Sequence, residues 1–282
     1  MVSPRPACPA CGASELPKFL FRVSNETIVA CPRCGLGFVD GAPTRDTRDL
    51  YDAGYFNAEG ALGYADYEGS EPVLRAEFAR TVSALGEHVG GGRLVELGAA
   101  FGFFLLEARA RYSCVGVEVS EPAATAARAR GLDVRTGVYD DPMAEAVGPV
   151  DACVMLDVIE HLADPYDVVR RVSQNLAPGG ALMLTTGDFG SIASRLAGKR
   201  WRLMTPPEHL YFFTEASLRA LLARAGLHVV EVVRPWKVVP LGLALHQAVT
   251  KVGLPAPPPL LGGVGVPLNL FDAMRVVARK PA

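Results

Sequence analysis

The sequence has no surplus of either charge: 28 Lys and Arg stand against 30 Asp and Glu over 282 residues, a net charge of −2. Without a basic excess, a broad electrostatic grip on nucleic acid is not expected. It also lacks an unbroken apolar run of the roughly 20 residues that a membrane helix requires. The greasiest stretch, 238–270, is cut by His246, Gln247, Lys251 and several prolines. Met1 to Pro6 contain no apolar signal core ahead of the first cysteine, so the expected location is the cytoplasm. Cysteine itself is scarce, six in all, which argues against a disulfide scaffold in such a compartment. Apolar residues, by contrast, make up 50% of the chain and charged ones 21%. That balance excludes disorder for most of the sequence and allows one large core with an appendage.

Four of the six cysteines form two knuckles, Cys8-Pro-Ala-Cys11-Gly12 and Cys31-Pro-Arg-Cys34-Gly35. Two such tight turns can direct four thiolates at one structural Zn²⁺, with the glycines letting the backbone reverse beneath the sulfurs. A pair of disulfides is the competing arrangement, and a reducing compartment disfavours it. Phe19 to Ala30 is too short for a core but long enough for a hairpin, so the metal would supply the missing folding energy. Cys114 and Cys153 lie in apolar runs and read as small core residues. The division expected is a ribbon at 1–42, an aromatic-rich linker or lid at 43–73 and a main domain at 74–282. In the linker, Tyr51, Tyr55, Phe56, Tyr64 and Tyr67 alternate with acids and could either face a cleft or pack as a connector.

From Leu74 onward short apolar runs alternate with helical stretches, the signature of crossover units and a mostly parallel α/β sheet. Strands are expected at 93–96, 114–118, 133–135, 152–156, 181–185, 227–234 and 273–278. Ser120 before Pro122, Asp164 before Pro165, and Thr214 each cap a helix, the first ending at Gly131 and the third at Gly226. The Pro- and Gly-rich 254–267 is expected to be a loop. After the first strand of this unit, Gly98 and Gly102 bracket a turn into a helix, and Glu118 ends the next strand where a carboxylate can accept both hydroxyls of a ribose. Ala100 and Phe103 stand where a pyrophosphate-binding turn would have glycines, so a nucleoside-like ligand fits better than a dinucleotide.

Val95-Glu96-Leu97-Gly98 to Gly102, Gly116-Val117-Glu118-Val119-Ser120, Asp157-Val158-Ile159-Glu160-His161-Leu162 and Leu176-Ala177-Pro178-Gly179-Gly180 together resemble the class I S-adenosylmethionine-dependent methyltransferases, and the knuckles resemble their zinc-ribbon branch. The resemblance implies a Rossmann-like seven-stranded sheet with its last strand antiparallel. It gives Gly98 and Gly102 to the methionine end of S-adenosylmethionine, Glu118 to the ribose, and Asp140 or Asp141 to the adenine, with Glu96, Val119 and Leu156 along the same edge. Two residues depart from the family pattern: Glu96 replaces the usual Asp, and Ala100 replaces a common middle glycine.

Asp157, Glu160 and His161 are spaced i, i+3, i+4, and a helical turn would set all three on one face beside the donor. Trp201 to Phe213 can return His209 to the same edge. Small-RNA 2′-O-methyltransferases and ubiquinone-pathway O-methyltransferases have a similar Glu-x-x-Glu-His segment holding a divalent ion, so the resemblance implies either that Asp157, Glu160, His161 and His209 hold Mg²⁺ or that His161 takes a proton directly. Bracing of a helix and the core is the alternative role for these residues. The function expected is O-methylation of a small-molecule hydroxyl, on a sugar, phenol or quinone-like intermediate. C- or N-methylation and a non-catalytic binding module are the alternatives, and a homo-oligomer is left open.

Overall fold

The computed structural model describes residues 7–42, 45, 68–241 and 264–282. The aromatic linker residues Tyr51 to Tyr67 and the segment 242–263 lie outside these described residues. The amino-terminal unit is β1 (Lys18–Val23), β2 (Glu26–Ala30) and β3 (Gly37–Val39). β1 and β2 form the expected hairpin, closed by two residues of which Ser24 takes a left-handed φ of 54°.

The main domain runs α1 (Glu71–Gly86), β4 (Gly92–Leu97), α2 (Phe103–Ala108), β5 (Tyr112–Glu118), α3 (Glu121–Ala129), β6 (Val134–Thr136), α4 (Asp141–Val147), β7 (Val150–Leu156), α5 (Pro165–Asn175), β8 (Leu176–Gly187), α6 (Ile192–Ala197), β9 (Tyr211–Phe212), α7 (Glu215–Arg224), β10 (His228–Val233), β11 (Lys237–Pro240), β12 (Gly265–Leu268) and β13 (Ala273–Arg279). Seven strands form one sheet in the order β10-β13-β8-β7-β4-β5-β6, with β13 antiparallel to both its neighbours. Local chemistry sets the helix starts. The Asp164 carboxylate accepts the Asp167 amide at 3.0 Å, and Thr214 and Ser217 form a reciprocal capping box. Pro178 to Gly180, whose Pro-Gly-Gly sequence favours a turn, lie within β8. They are accommodated by an irregularity where β7 pairing passes from Leu176 to Ala181. The expected loop 254–267 is also corrected at its end, since Gly265–Leu268 pairs antiparallel with Lys237–Pro240.

Central strands buried on both faces need apolar side chains throughout. Leu94 and Val95 on β4 and Ala152 to Met155 on β7 are accordingly buried, and Glu96 is the exception. One face packs on α1, α2 and α3 through Val82, Leu85, Phe104, Leu105 and Ala127. The other packs on α4, α5 and α7 and continues without a break into the amino-terminal unit through Ile28, Leu36, Val39 and Cys31. The two units also share hydrogen bonds: a four-stranded sheet β1-β2-β3-β9 takes its last strand from the main domain.

Candidate active site

The cysteine knuckles converge. Cys8 Sγ lies 3.7 Å from Cys34 Sγ and Cys11 Sγ 3.7 Å from Cys31 Sγ, and all four sulfurs lie within 4.8 Å of one another. Zinc–thiolate bonds of about 2.3 Å in a tetrahedron put the sulfurs about 3.8 Å apart, whereas a disulfide needs about 2.05 Å. All four are free thiols, at separations that fit a shared cation better than two disulfides. The Cys34 thiol beside it holds Cys8 down to about 5, and Cys34 is pushed far up in return.

The sheet order reverses between β4 and β7, and at such a switch point the strand ends leave a crevice. Gly98 and Gly102 turn there with φ of 76° and 78°, and Ala100 between them takes a φ of 44°. Packing as well as conformation demands these glycines. A Cβ at Gly98 would come within 2.5 Å of Val158 Cγ2, and one at Gly102 within 2.3 Å of Leu132 Cδ1. Glu118, nearly buried, accepts the Ala100 amide at 2.7 Å and the Ser120 amide at 2.8 Å, so it fixes the strained turn. Its two oxygens keep further lone pairs for ribose hydroxyls. Burial raises the Glu118 carboxyl and raises Glu96 well above the usual range, the latter with help from Glu118. Glu96 Oε2 is buried without a hydrogen-bond partner among the described residues, an orphan that suits the positively charged donor expected at this edge. Along β5 and β6 a cavity of about 610 Å³ is lined by Val119, Gly137, Val138, Asp140 and Met143. Asp140 is the acid on that wall, its carboxylate capping α4 at Met143. Asp141 pairs instead with Arg171. Leu156, half-buried, ends β7 on the facing side.

Across the crevice the expected helical turn does not form as such. Asp157 adopts a left-handed φ of 54°, and a single 3-10 turn covers Ile159–His161. Asp157 is exposed, and its carboxylate accepts the Thr185 hydroxyl at 2.9 Å. It therefore stands apart from a tighter group in which ligand atoms of Glu160, His161 and His209 lie within 4.8 Å of one another. The two histidine rings meet edge to face with centroids 4.6 Å apart. His161 Nδ1 donates to the Glu208 carbonyl at 3.0 Å and His209 Nδ1 to the Leu203 carbonyl at 2.8 Å, which leaves each Nε2 with a lone pair to offer. Burial brings His161 down to about 4 and His209 to about 3, so both rings are neutral at physiological pH. Glu160, 4% exposed, accepts the Thr186 hydroxyl at 3.0 Å.

Several participants escape a sequence reading. Thr185 and Thr186 end β8 and hold the two acids of the site; a polar pair closing an apolar strand at the carboxyl edge was the available signal. Glu208 is buried, its Oε1 has no partner among the described residues, and desolvation raises it to about 7. Asp272, 2% exposed, accepts Trp201 Nε1 and both ends of the Arg202 fork at 2.9 Å. This clamps the loop whose Leu203 carbonyl orients His209. No local pattern in the sequence announces that partnership.

The profile of the methyltransferase domain family matches residues 71–232. The ubiquinone biosynthesis O-methyltransferase of Xylella fastidiosa (strain 9a5c) is 30% identical over 195 residues, covering 62% of this chain and 79% of the relative. That of Caulobacter vibrioides is 33% identical over 180 residues, covering 60% and 66%. Magnesium protoporphyrin IX methyltransferase from Synechocystis PCC 6803, solved with bound SAH, shares the fold with a TM-score of 0.53 at 14% identity, covering 83% of this chain and 98% of its own. No helix among the described residues is long and apolar enough to cross a membrane. Matched over more than half of its length, from the start of α1 into β10, the chain belongs to the methyltransferase domain family and is an S-adenosylmethionine-dependent methyltransferase.

Proposed function

We propose that the chain methylates a hydroxyl of a small molecule, a phenol or quinone-like intermediate in first place. The observation that carries this is the convergence of Glu160, His161 and His209 just beyond β7, where the neighbouring Val158 packs against the donor turn at Gly98. The relatives named as ubiquinone biosynthesis O-methyltransferases support it. Gly98, Gly102, Glu118 and Asp140 would hold S-adenosylmethionine, with Glu96 beside them. When bound, its sulfonium supplies an electrophilic methyl group whose thioether leaves without charge. The chain's own residues have two remaining tasks, alignment of the acceptor oxygen and removal of its proton.

A buried histidine held near 4 is a weak base, yet a neutral ring with its Nδ1 anchored on a carbonyl is the form that ligates a metal. We therefore favour the reading in which the trio holds a divalent cation. Two imidazoles and one carboxylate suit a first-row transition ion better than Mg²⁺, which prefers an all-oxygen shell. Such an ion would supply Lewis acidity to an acceptor hydroxyl. We assign Zn²⁺ to the cysteine cage and keep the division into a ribbon at 1–42, a linker at 43–73 and a transferase domain at 74–282. The test offers the protein S-adenosylmethionine with catechols, sugars and amines in turn and locates the new methyl group by NMR. A methyl group on oxygen is expected. Products methylated only on nitrogen or carbon, or no product from any acceptor, would overturn the reading.

A further inference from the structure

Strand β3 belongs to the cysteine ribbon and β9 to the transferase domain, yet they form one antiparallel ladder that pairs Gly37 with Phe212 and Phe38 with Tyr211. One residue further, the Val39 amide donates to the Leu210 carbonyl at 2.9 Å, and the Leu210 amide donates to the Glu160 carbonyl at 2.9 Å. The ribbon is thus two hydrogen bonds from a member of the acceptor trio. His209 immediately precedes Leu210, and the Glu208 carbonyl before it orients His161. A two-residue strand has little stability of its own and takes its place from what flanks it. At its far end, Phe213 is followed by Thr214, whose hydroxyl donates to the Cys34 carbonyl at 3.3 Å. Arg224 on α7 donates to the Pro9 carbonyl at 3.4 Å and lies over the Tyr166 ring at 3.6 Å. Gly37 sits so tightly on the domain that a Cβ there would meet Phe189 at 2.9 Å. β3 and the second knuckle therefore hold the segment that carries His209, and the first knuckle is tied to α7 that follows it.

Among the described residues, no hydrogen bond links the ribbon to the donor edge. Gly98, Gly102 and Glu118 hang from β4 and β5, whose sheet neighbours are β7 and β6. We propose that the cysteine ribbon is a positioning element of the acceptor site: through β3 and β9 it holds Glu160, His161 and His209 together, so the state of the four-cysteine centre governs the trio and leaves the donor edge alone. The inference rests on reading the trio as the acceptor site. It makes the ribbon part of the transferase machinery although none of its cysteines belongs to the trio.

Hydrogen exchange of the full chain tests it in three states: purified with Zn²⁺, stripped with chelator, and reloaded with Zn²⁺. Cys34→Ser provides a fourth sample, and S-adenosylhomocysteine calorimetry is run on each. Stripping is expected to speed exchange at 158–162 and 208–213 about tenfold or more, as local opening of a tethered segment would. Exchange at 98–103 and 115–119 and the affinity for S-adenosylhomocysteine should stay within about twofold. Reloading should restore the trio, and Cys34→Ser should behave as the stripped protein does. A rise confined to 7–42 would overturn the proposal. So would loss of S-adenosylhomocysteine binding together with the trio, because the ribbon would then support the whole core. Neither measurement uses an acceptor, so this failure is distinct from that of the O-methylation reading, which would appear as a zinc-loaded protein giving no O-methyl product.

Discussion

His161 and His209 come from opposite sides of β8 in the chain and meet edge to face with ring centroids 4.6 Å apart, each anchored at Nδ1 by a main-chain carbonyl. Neither ring can rotate without losing its anchor. The pair is therefore preorganised before any ligand arrives, and the site's chemistry depends on two loops keeping register.

Replacing either ring with alanine should lower turnover about 10²-fold or more, because a site that loses one of three ligands would hold its cation poorly and lose the Lewis acidity offered to the acceptor hydroxyl. Affinity for S-adenosylhomocysteine should hardly change, because the donor edge makes none of these contacts. Steady-state rates and calorimetry on the same preparations check this, and near wild-type turnover in both variants would leave the histidines a purely structural role. If the trio holds a metal, a chelator that spares the ribbon zinc should abolish turnover and added Mn²⁺ should restore it.

Glu118→Ala should weaken donor binding by about 1.5–3 kcal/mol, as expected for lost hydrogen bonds to a charged group. The structure adds a second source of loss, since Glu118 also holds the amides of Ala100 and Ser120. Glu118→Gln keeps one acceptor oxygen and should lose less. Calorimetry with S-adenosylmethionine orders the two, and equal affinities for the wild type and the alanine variant would remove Glu118 from the donor site.

Glu96 has its folded-state pKa raised well above the ordinary value by burial. The folded chain then holds a proton that the unfolded chain releases, so this group's contribution is full below the ordinary carboxylate range and is lost as pH climbs towards the raised value. Glu96→Gln removes that dependence. Without donor, its melting temperature should exceed that of the wild type by a margin that grows from about pH 5 to about pH 8. A constant margin across that range would show that Glu96 ionises normally.

Purified protein should contain one tightly held zinc bound by Cys8, Cys11, Cys31 and Cys34, as read by elemental analysis and thiol titration before and after chelation. Cys31→Ser should lose it. Because Cys31 is buried in the apolar cluster that continues into the transferase core, this variant should also be less stable by about 2–5 kcal/mol, the range for loss of a structural cross-link, and melt at a lower temperature. Metal-free protein with two disulfides would contradict the cage.

Local pattern was enough for much of this molecule. Knuckle spacing announced the four-cysteine cluster, Ser120, Asp164 and Thr214 announced helix starts, and Gly98 with Glu118 announced the tied turn after β4, because each depends on residues close in sequence or on one crossover unit. The acceptor site was legible only as a list of residue types. The i, i+3, i+4 spacing of Asp157, Glu160 and His161 suggested a common helical face, but Asp157 is left-handed with its carboxylate on Thr185, and the group within 4.8 Å is Glu160 with His161 and His209. Only the tertiary fold decided that His209 should complete the group, that Asp272 should clamp the loop supporting it, and that the ribbon should borrow β9 as its fourth strand. Those choices rest on hydrogen bonds and packing between segments far apart in the chain. Periodicity and spacing report which face a residue presents, and the partner that meets that face is fixed by how the layers close on one another.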